Sequence, residues 1–338
     1  MLMDVVICTE PGQLDLVRRP RPQRAEGEVL IRVRRVGVCG TDMHIYRGTQ
    51  PFLSYPRVMG HELSGEVAEA DPDSGLSPGE TVYVMPYMSC GACVACRKGK
   101  TNCCVAIQVL GVHRDGGLAE YISVPRQFVV PVQGISLDDA AMIEFLAIGA
   151  HAVRRAAVMP GQRALIVGAG PIGVAAAIFA KIEGAEVTAI DNRKDRLDLC
   201  RDAVGVDHIV EVGANDQASL SEITDGEFFD LVVDATGSPA AMQANFARVA
   251  HGGTYVLVSV VDADITFNDP EFHKRETTLL ASRNATLEDF SHVVAMMRAR
   301  RIPLESLATH RTALADFAEA LPRWMEPGAG VIKGLVEL

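Results

Sequence analysis

The sequence predicts a two-part α/β chain, in which a mostly β N-terminal part precedes a doubly wound parallel sheet. Three observations carry this expectation. The 338 residues exceed a single domain of about 150. Up to Val132, short apolar stretches of period two are separated by Gly- and Pro-containing turns. Beyond Ser136, strand-like apolar runs alternate with longer helical ones, the pattern of parallel strands joined by crossover helices.

In chain order, residues 28–38 (EVLIRVRRVGV) alternate Val29, Ile31 and Val33 with Leu30, Arg32 and Arg34, which reads as a strand. Strand-like pieces recur at Thr81–Met85, Leu118–Val124 and Phe128–Val132, with turns at Pro78-Gly79 and Gly116-Gly117. Together they predict a small barrel or sandwich. Ser136, with Asp139 three residues later, caps a helix read through to Val158. Strands then follow at Arg163–Val167, Ala185–Asp191, His208–Val212, Asp230–Asp234 and Gly253–Ser259, with helices over 171–184 and 194–205. Two last helices, near 286–300 and 314–325, are expected to pack back on the first domain. No internal repeat or low-complexity tract interrupts the pattern.

A formal charge of −11 argues against nucleic acid or an anionic membrane surface as partner. It leaves a small anionic substrate open, because a local field can oppose the global charge. The longest uncharged apolar run, Ala164–Ala180, is short for a membrane span and contains Gly168, Gly170, Pro171 and Gly173. Met1–Thr9 has neither the basic start nor the apolar core of a secretory signal, so a cytoplasmic location is the default expectation. In that setting the eight cysteines, several of them clustered, point to metal and not to a disulfide scaffold.

Residues 163–173 (RALIVGAGPIG) place Gly168, Gly170 and Gly173 between a strand and a helix, with Pro171 and Ile172 opening the helix. Glycines there allow a tight turn and let a pyrophosphate approach the helix N-terminus. Asp191 lies 18 residues after Gly173, at the end of the next strand, where a carboxylate accepts from ribose hydroxyls. The set predicts a nicotinamide dinucleotide, NAD over NADP, since a 2′-phosphate would meet Asp191. Arg193 and Arg196 would soften that preference.

Cys90, Cys93 and Cys96 are spaced by three, and Cys104 follows eight later. Four thiolates at short spacing suit a closed tetrahedral zinc site of the structural kind, with the adjacent Cys103 as the spare. A catalytic zinc takes three protein ligands and keeps one position open. Cys39 (VGVCGTDMH), His61 and Glu62 (VMGHELSGEV) and Glu144 (AAMIEFLAIGAHA) supply the candidates, with either glutamate as the third ligand.

With these segments in hand, CGTDMH at 39–44, GHELSGEV at 60–67, the cysteine cluster at 90–104 and GAGPIG at 168–173, the chain resembles the zinc-dependent medium-chain dehydrogenase/reductase superfamily over essentially its whole length. The resemblance implies a GroES-like β-barrel catalytic domain, residues 1–148 completed by 287–338. It implies a Rossmann NAD-binding domain at 149–286. It also implies a catalytic zinc on Cys39, His61 and Glu144, with Thr41 and His44 as a proton relay, Asp42 supporting His61, and Arg196 on the adenosine ribose. A glutamate at the third ligand position marks the polyol-type branch, although Phe145 stands where that branch usually has proline. Glu62 then reads as an outlying carboxylate within reach of the metal.

The resemblance extends to sugar-acid dehydrogenases that act at carbon 5 of L-galactonate or L-gulonate, notably in FHKRETTLLASRNAT at 272–286. It places Arg283 and Arg114 as substrate residues, and a guanidinium suits two-pronged binding of a carboxylate. Alternatives are a neutral polyol dehydrogenase, a threonine dehydrogenase (GVHRDGGLAEYISVP at 111–125 is similar to that branch) and a non-catalytic nucleotide binder. The family implies a homo-oligomer, a dimer or tetramer.

Overall fold

In the computed structural model, which describes residues 1–326 and 328–338, the strand Glu28–Val38 is the hub of a seven-stranded sheet. One of its edges takes Glu62–Glu69, antiparallel. The other is shared: Tyr121–Pro125 pairs with Glu28–Arg32, and the C-terminal strand Lys333–Glu337 pairs with Arg35–Val38. The last strand of the chain therefore completes a sheet begun near its start. Met1–Glu144 and Leu307–Leu338 accordingly form one compact unit. A three-stranded sheet of Leu2–Glu10, Gln13–Pro20 and Arg57–Val58 adds to it. Val29, Ile31, Val33, Leu63, Val82 and Val336 are among its core. Leu30, outward by simple alternation, is buried as well.

The second unit, Phe145–Ser306, holds a six-stranded, wholly parallel sheet. From one edge its strands are His208–Glu211, Glu186–Asp191, Arg163–Val167, Phe229–Asp234, Val249–Leu257 and Thr278–Ala281. Chain order reverses direction at Arg163–Val167, which puts the Gly-rich turn at the switch point where such sheets bind ligands. The helix Pro171–Ile182 follows that turn, its glycine-capped start carrying proline at the first position.

Three elements differ from the expected helices. The helix read over 136–158 is two, Leu137–Ala140 and Ile143–Ala156. Ala141 N still donates to Leu137 O, but Met142 N turns to Asp139 O, and this tighter bond ends the first helix. The helix after Arg193 runs to Leu199 and continues as a π-turn, Cys200–Val204, stopped by left-handed Gly205. Leu287–Arg298 belongs to the second unit and not to the first. The reason lies in Asp289 at its third position, which receives His151 and Arg154 of that same unit. The other helix expected to pack there, Phe317–Trp324, lies in the first unit. Among the described residues no helix is long and apolar enough to cross a membrane.

Candidate metal centres and nucleotide turn

In the first unit the helix Gly40–Arg47 starts from Cys39, and Asp42 at its third position is buried. The Asp42 carboxylate accepts from Cys39 N at 2.9 Å and from Gly60 N at 3.1 Å. It therefore ties together the backbones beside Cys39 and His61, and its contacts are amides rather than the His61 ring. Ligand atoms of Cys39, His61 and Glu62 lie within 4.8 Å of one another. His61 Nδ1 is buried without a hydrogen-bond partner. Burial lowers the His61 pKa, but Cys39, Asp42 and Glu144 outweigh it and hold the pKa well above the usual imidazole value.

Two side chains not singled out from the sequence complete this centre. Lys333, 1% exposed on the C-terminal strand, donates to both Glu62 oxygens at 2.7 and 2.6 Å, and to Val38 O at 3.2 Å. Tyr87 OH donates to Glu144 Oε1. Glu144 is pushed up to about 7, first by burial and further by Glu62, against the opposing pull of His61 and Tyr87. Glu144 thus sits beside the Cys39–His61–Glu62 group, close enough to raise the pKa of His61. Three buried carboxylates and a thiol share this space with one buried ammonium. Buried anions need compensation, so a divalent cation with thiolate, imidazole and carboxylate ligands fits this donor set. Thr41 Oγ1 is 3.9 Å from Cys39 Sγ; His44 is exposed on the same helix, its Nδ1 2.9 Å from Thr49 Oγ1.

The second centre is Cys90, Cys93, Cys96 and Cys104, whose sulfurs also lie within 4.8 Å of one another. Cys90 N donates to Cys104 Sγ at 3.3 Å, and Cys93 and Cys96 sulfurs are 3.5 Å apart. Backbone amides of Cys96 and Val105 lower the Cys93 thiol to about 6, while burial and the neighbouring thiols raise Cys96 to about 11. Four sulfurs held this closely suit one tetrahedral ion. Cys103 is exposed and outside the group.

In the second unit, Gly168 adopts φ +90°, and a Cβ on Gly173 would lie 1.7 Å from Gly168 O. Only glycine fits that contact. Asp191, 6% exposed, accepts from Ala169 N at 2.6 Å and from Arg193 N at 2.8 Å, so it braces the turn it was expected to serve. Arg196 Nη1 is 4.0 Å from Asp191 Oδ2 and near Gly170. Arg193 is occupied by Asp195, at 3.1 and 2.6 Å.

Of the two expected substrate arginines, Arg114 is exposed in the first unit, its guanidinium 3.2 Å from Met88 Sδ. The neighbouring Asp115 is taken instead by Arg19 and Arg57. Arg283 is exposed in the second unit, just past the edge strand Thr278–Ala281.

A parallel nucleotide-type sheet, a β unit closed by the C-terminal strand, and two metal-ligand clusters define a zinc-type dehydrogenase. Residues 25–134 match the alcohol dehydrogenase GroES-like domain, and residues 171–299 match the zinc-binding dehydrogenase domain. The chain belongs to the zinc-type medium-chain dehydrogenase/reductase superfamily. It is 43% identical over 335 residues to L-galactonate-5-dehydrogenase of Escherichia coli K12, covering 99% of this chain and 98% of that protein. It is 31% identical to 2-dehydro-3-deoxy-L-galactonate 5-dehydrogenase of Pseudoalteromonas atlantica, covering 92% of each. The crystal structure of the RspB short chain alcohol dehydrogenase of E. coli CFT073, complexed with cofactor NADH, superposes with a TM-score of 0.93 at 28% identity. That match covers 100% of this chain and 99% of the other.

Proposed function

We propose that this chain is an NAD- and zinc-dependent dehydrogenase that oxidises the carbon-5 hydroxyl of a sugar acid of the L-galactonate or L-gulonate type. The observation that carries the substrate is the 43% identity to L-galactonate-5-dehydrogenase over nearly the whole chain. A second relative named for carbon 5 of a related sugar acid supports it.

The residue roles belong to the same proposal. Cys39, His61 and Glu144 hold the catalytic zinc, and Cys90, Cys93, Cys96 and Cys104 hold the structural one. Gly168, Gly170, Pro171, Ile172 and Gly173 form the pyrophosphate turn, with Asp191 and Arg196 on the ribose. A bound zinc would supply a Lewis acid for the substrate hydroxyl, and a bound nicotinamide would supply the hydride acceptor. Thr41 Oγ1, beside Cys39, takes the hydroxyl proton and passes it towards solvent at the exposed His44. Tyr87 orients Glu144, and Asp42 holds the two ligand loops in register. Arg283 and Arg114 recognise the substrate carboxylate. Two or four chains assemble, as in the resembled family, and the mass in solution tests this.

The deciding experiment is NAD reduction with L-galactonate, L-gulonate, sorbitol and threonine under equal conditions. The aldonates are expected to give the highest kcat/KM. Equal rates on sorbitol would replace the sugar acid with a neutral polyol.

A further inference from the structure

Arg283 sits in the loop 282–286, between the edge strand Thr278–Ala281 and the helix Leu287–Arg298. Both ends of this loop are pinned within the second unit. At its start Ser282 N donates to Leu257 O of the neighbouring strand at 2.8 Å. At its end the Asp289 carboxylate, 1% exposed, accepts from the Thr286 amide and from the Thr286 hydroxyl, each at 2.8 Å. The same carboxylate accepts from His151 Nδ1 at 2.8 Å, and from Arg154 Nε at 2.6 Å and Nη2 at 3.1 Å. Arg154 Nη2 also donates to Thr286 Oγ1, at 3.1 Å.

The contacts between Thr286 and Asp289 are the capping box of Leu287–Arg298, and a helix start needs no more. His151 and Arg154 lie beyond that need. They stand one turn apart on one face of the helix Ile143–Ala156. That helix lies hard against the nucleotide helix Pro171–Ile182, since a Cβ on Gly149 would be 2.5 Å from Ala175 Cβ. Asp289 therefore ties the Arg283 loop to a helix that is itself seated on the helix of the Gly168–Gly173 turn.

We propose that Asp289 is a positioning residue for substrate: by joining Thr286 to His151 and Arg154 it fixes the Arg283 loop relative to the dinucleotide turn, and so fixes where the substrate carboxylate is held. This rests on the reading of Arg283 as a partner of that carboxylate. A two-pronged guanidinium contact tolerates little displacement, so a loop that shifts loses it.

The test compares L-galactonate with sorbitol on the full holoenzyme. It reads KM for each substrate, and Kd of L-galactonate for the enzyme–NADH complex by calorimetry, which follows binding without turnover. Thr286→Val, which removes the hydroxyl and keeps the amide, is expected to raise KM and Kd for L-galactonate about tenfold and KM for sorbitol less than about twofold. Thr286→Ser, which keeps both donors, should restore the wild-type values. Asp289→Asn, which brings a donor to a carboxylate surrounded by donors, should go further, towards the values of Arg283→Ala. In an Arg283→Ala background neither change should weaken L-galactonate more, because the side chain they place is gone. Thr286→Val decides the matter if Asp289→Asn does not fold. A Thr286→Val that leaves Kd for L-galactonate at the wild-type value, raises both KM values alike, or adds its full effect to Arg283→Ala would overturn this inference alone and leave Asp289 as a helix cap. A wild-type enzyme indifferent between the two substrates, or equal effects of Arg283→Ala on both, would overturn the carboxylate reading and this inference together.

Discussion

Replacing Asp191 with serine separates two jobs that one carboxylate performs. The structure gives it two backbone amides, Ala169 N at 2.6 Å and Arg193 N at 2.8 Å, and the proposed function adds the adenosine ribose. A hydrogen bond to a charged group is worth about 1.5–3 kcal/mol. At about 1.4 kcal/mol per tenfold, loss of the ribose contact lowers kcat/KM for NAD by about tenfold to a hundredfold. The same change removes the charge that repels a 2′-phosphate, so kcat/KM for NADP rises. Arg193 is engaged by Asp195, which leaves Arg196, 4.0 Å from Asp191, to meet the phosphate. The serine hydroxyl is too short to serve both amides, so the fold also weakens, by about 1–3 kcal/mol for each amide left unsatisfied. Steady-state kinetics with both dinucleotides, and thermal unfolding with and without NAD, read the two jobs independently. Wild-type preference for NADP, or an unchanged kcat/KM for NAD in Asp191→Ser, would refute the assignment.

The purified protein is expected to carry two zinc ions per chain. His61→Ala should abolish turnover with the fold kept by circular dichroism, and Cys93→Ser should lower the unfolding temperature. A fully active protein with one zinc per chain would refute the pair of sites. Arg283→Ala and Arg114→Ala should each raise KM for L-galactonate about tenfold to a hundredfold and for sorbitol much less, the worth of a charge-assisted contact; equal effects on both substrates would remove the carboxylate role. Asp289 gives a pH prediction. Burial raises its pKa, but hydrogen bonds from His151, Arg154 and the Thr286 amide outweigh burial and hold it well below the usual carboxylate range. A depressed carboxyl stabilises the fold above its unfolded pKa, about 3.9, and that stability is lost as pH falls through the folded value. Asp289→Ala should therefore cost, at pH 7, the lower end of about 3–5 kcal/mol, because Arg154 is 42% exposed and partly screened. The gap to wild type should narrow below about pH 4, and a gap constant across pH would contradict this account.

Features whose logic is local are legible in the sequence itself. The Gly168–Gly173 turn works within one strand-to-helix junction, where a Cβ on Gly173 would meet Gly168 O, and so its spacing is legible once the strand before it, the helix after it and Asp191 are read with it. The four cysteines close on one point because they lie in one short loop. The parallel sheet follows from the alternation of strands and helices, down to the strand that ends at Asp191. The break at Ala141–Met142 is not legible, because neither Gly nor Pro marks it and the tightening of one hydrogen bond ends the helix. The C-terminal strand's place beside Arg35–Val38 also leaves no local trace, since a partner nearly the whole chain away sets it.

The choice between Glu62 and Glu144 shows why the rest of the site is hidden in one dimension. Both are carboxylates near a candidate ligand or helix start, and sequence spacing treats them alike. What distinguishes them is the partner each one meets after folding. Lys333 lies 271 residues from Glu62, in a segment that reads as an ordinary strand, and Tyr87 lies 57 residues from Glu144. A lysine 1% exposed is rare unless paired, so its burial implies a fixed anion, and that anion is Glu62. Lys333 bonds both oxygens of Glu62, and Cys39, Asp42 and Glu144 are the other acidic side chains acting on His61. Asp42 is spent on two backbone amides. In the proposed function Cys39 and Glu144 would join His61, whose buried Nδ1 has no hydrogen-bond partner, around a divalent ion. The proposed function takes Glu144 as the carboxylate of that set, whereas Glu62 is the carboxylate grouped within 4.8 Å of Cys39 and His61, and one-dimensional spacing leaves the two glutamates as a choice.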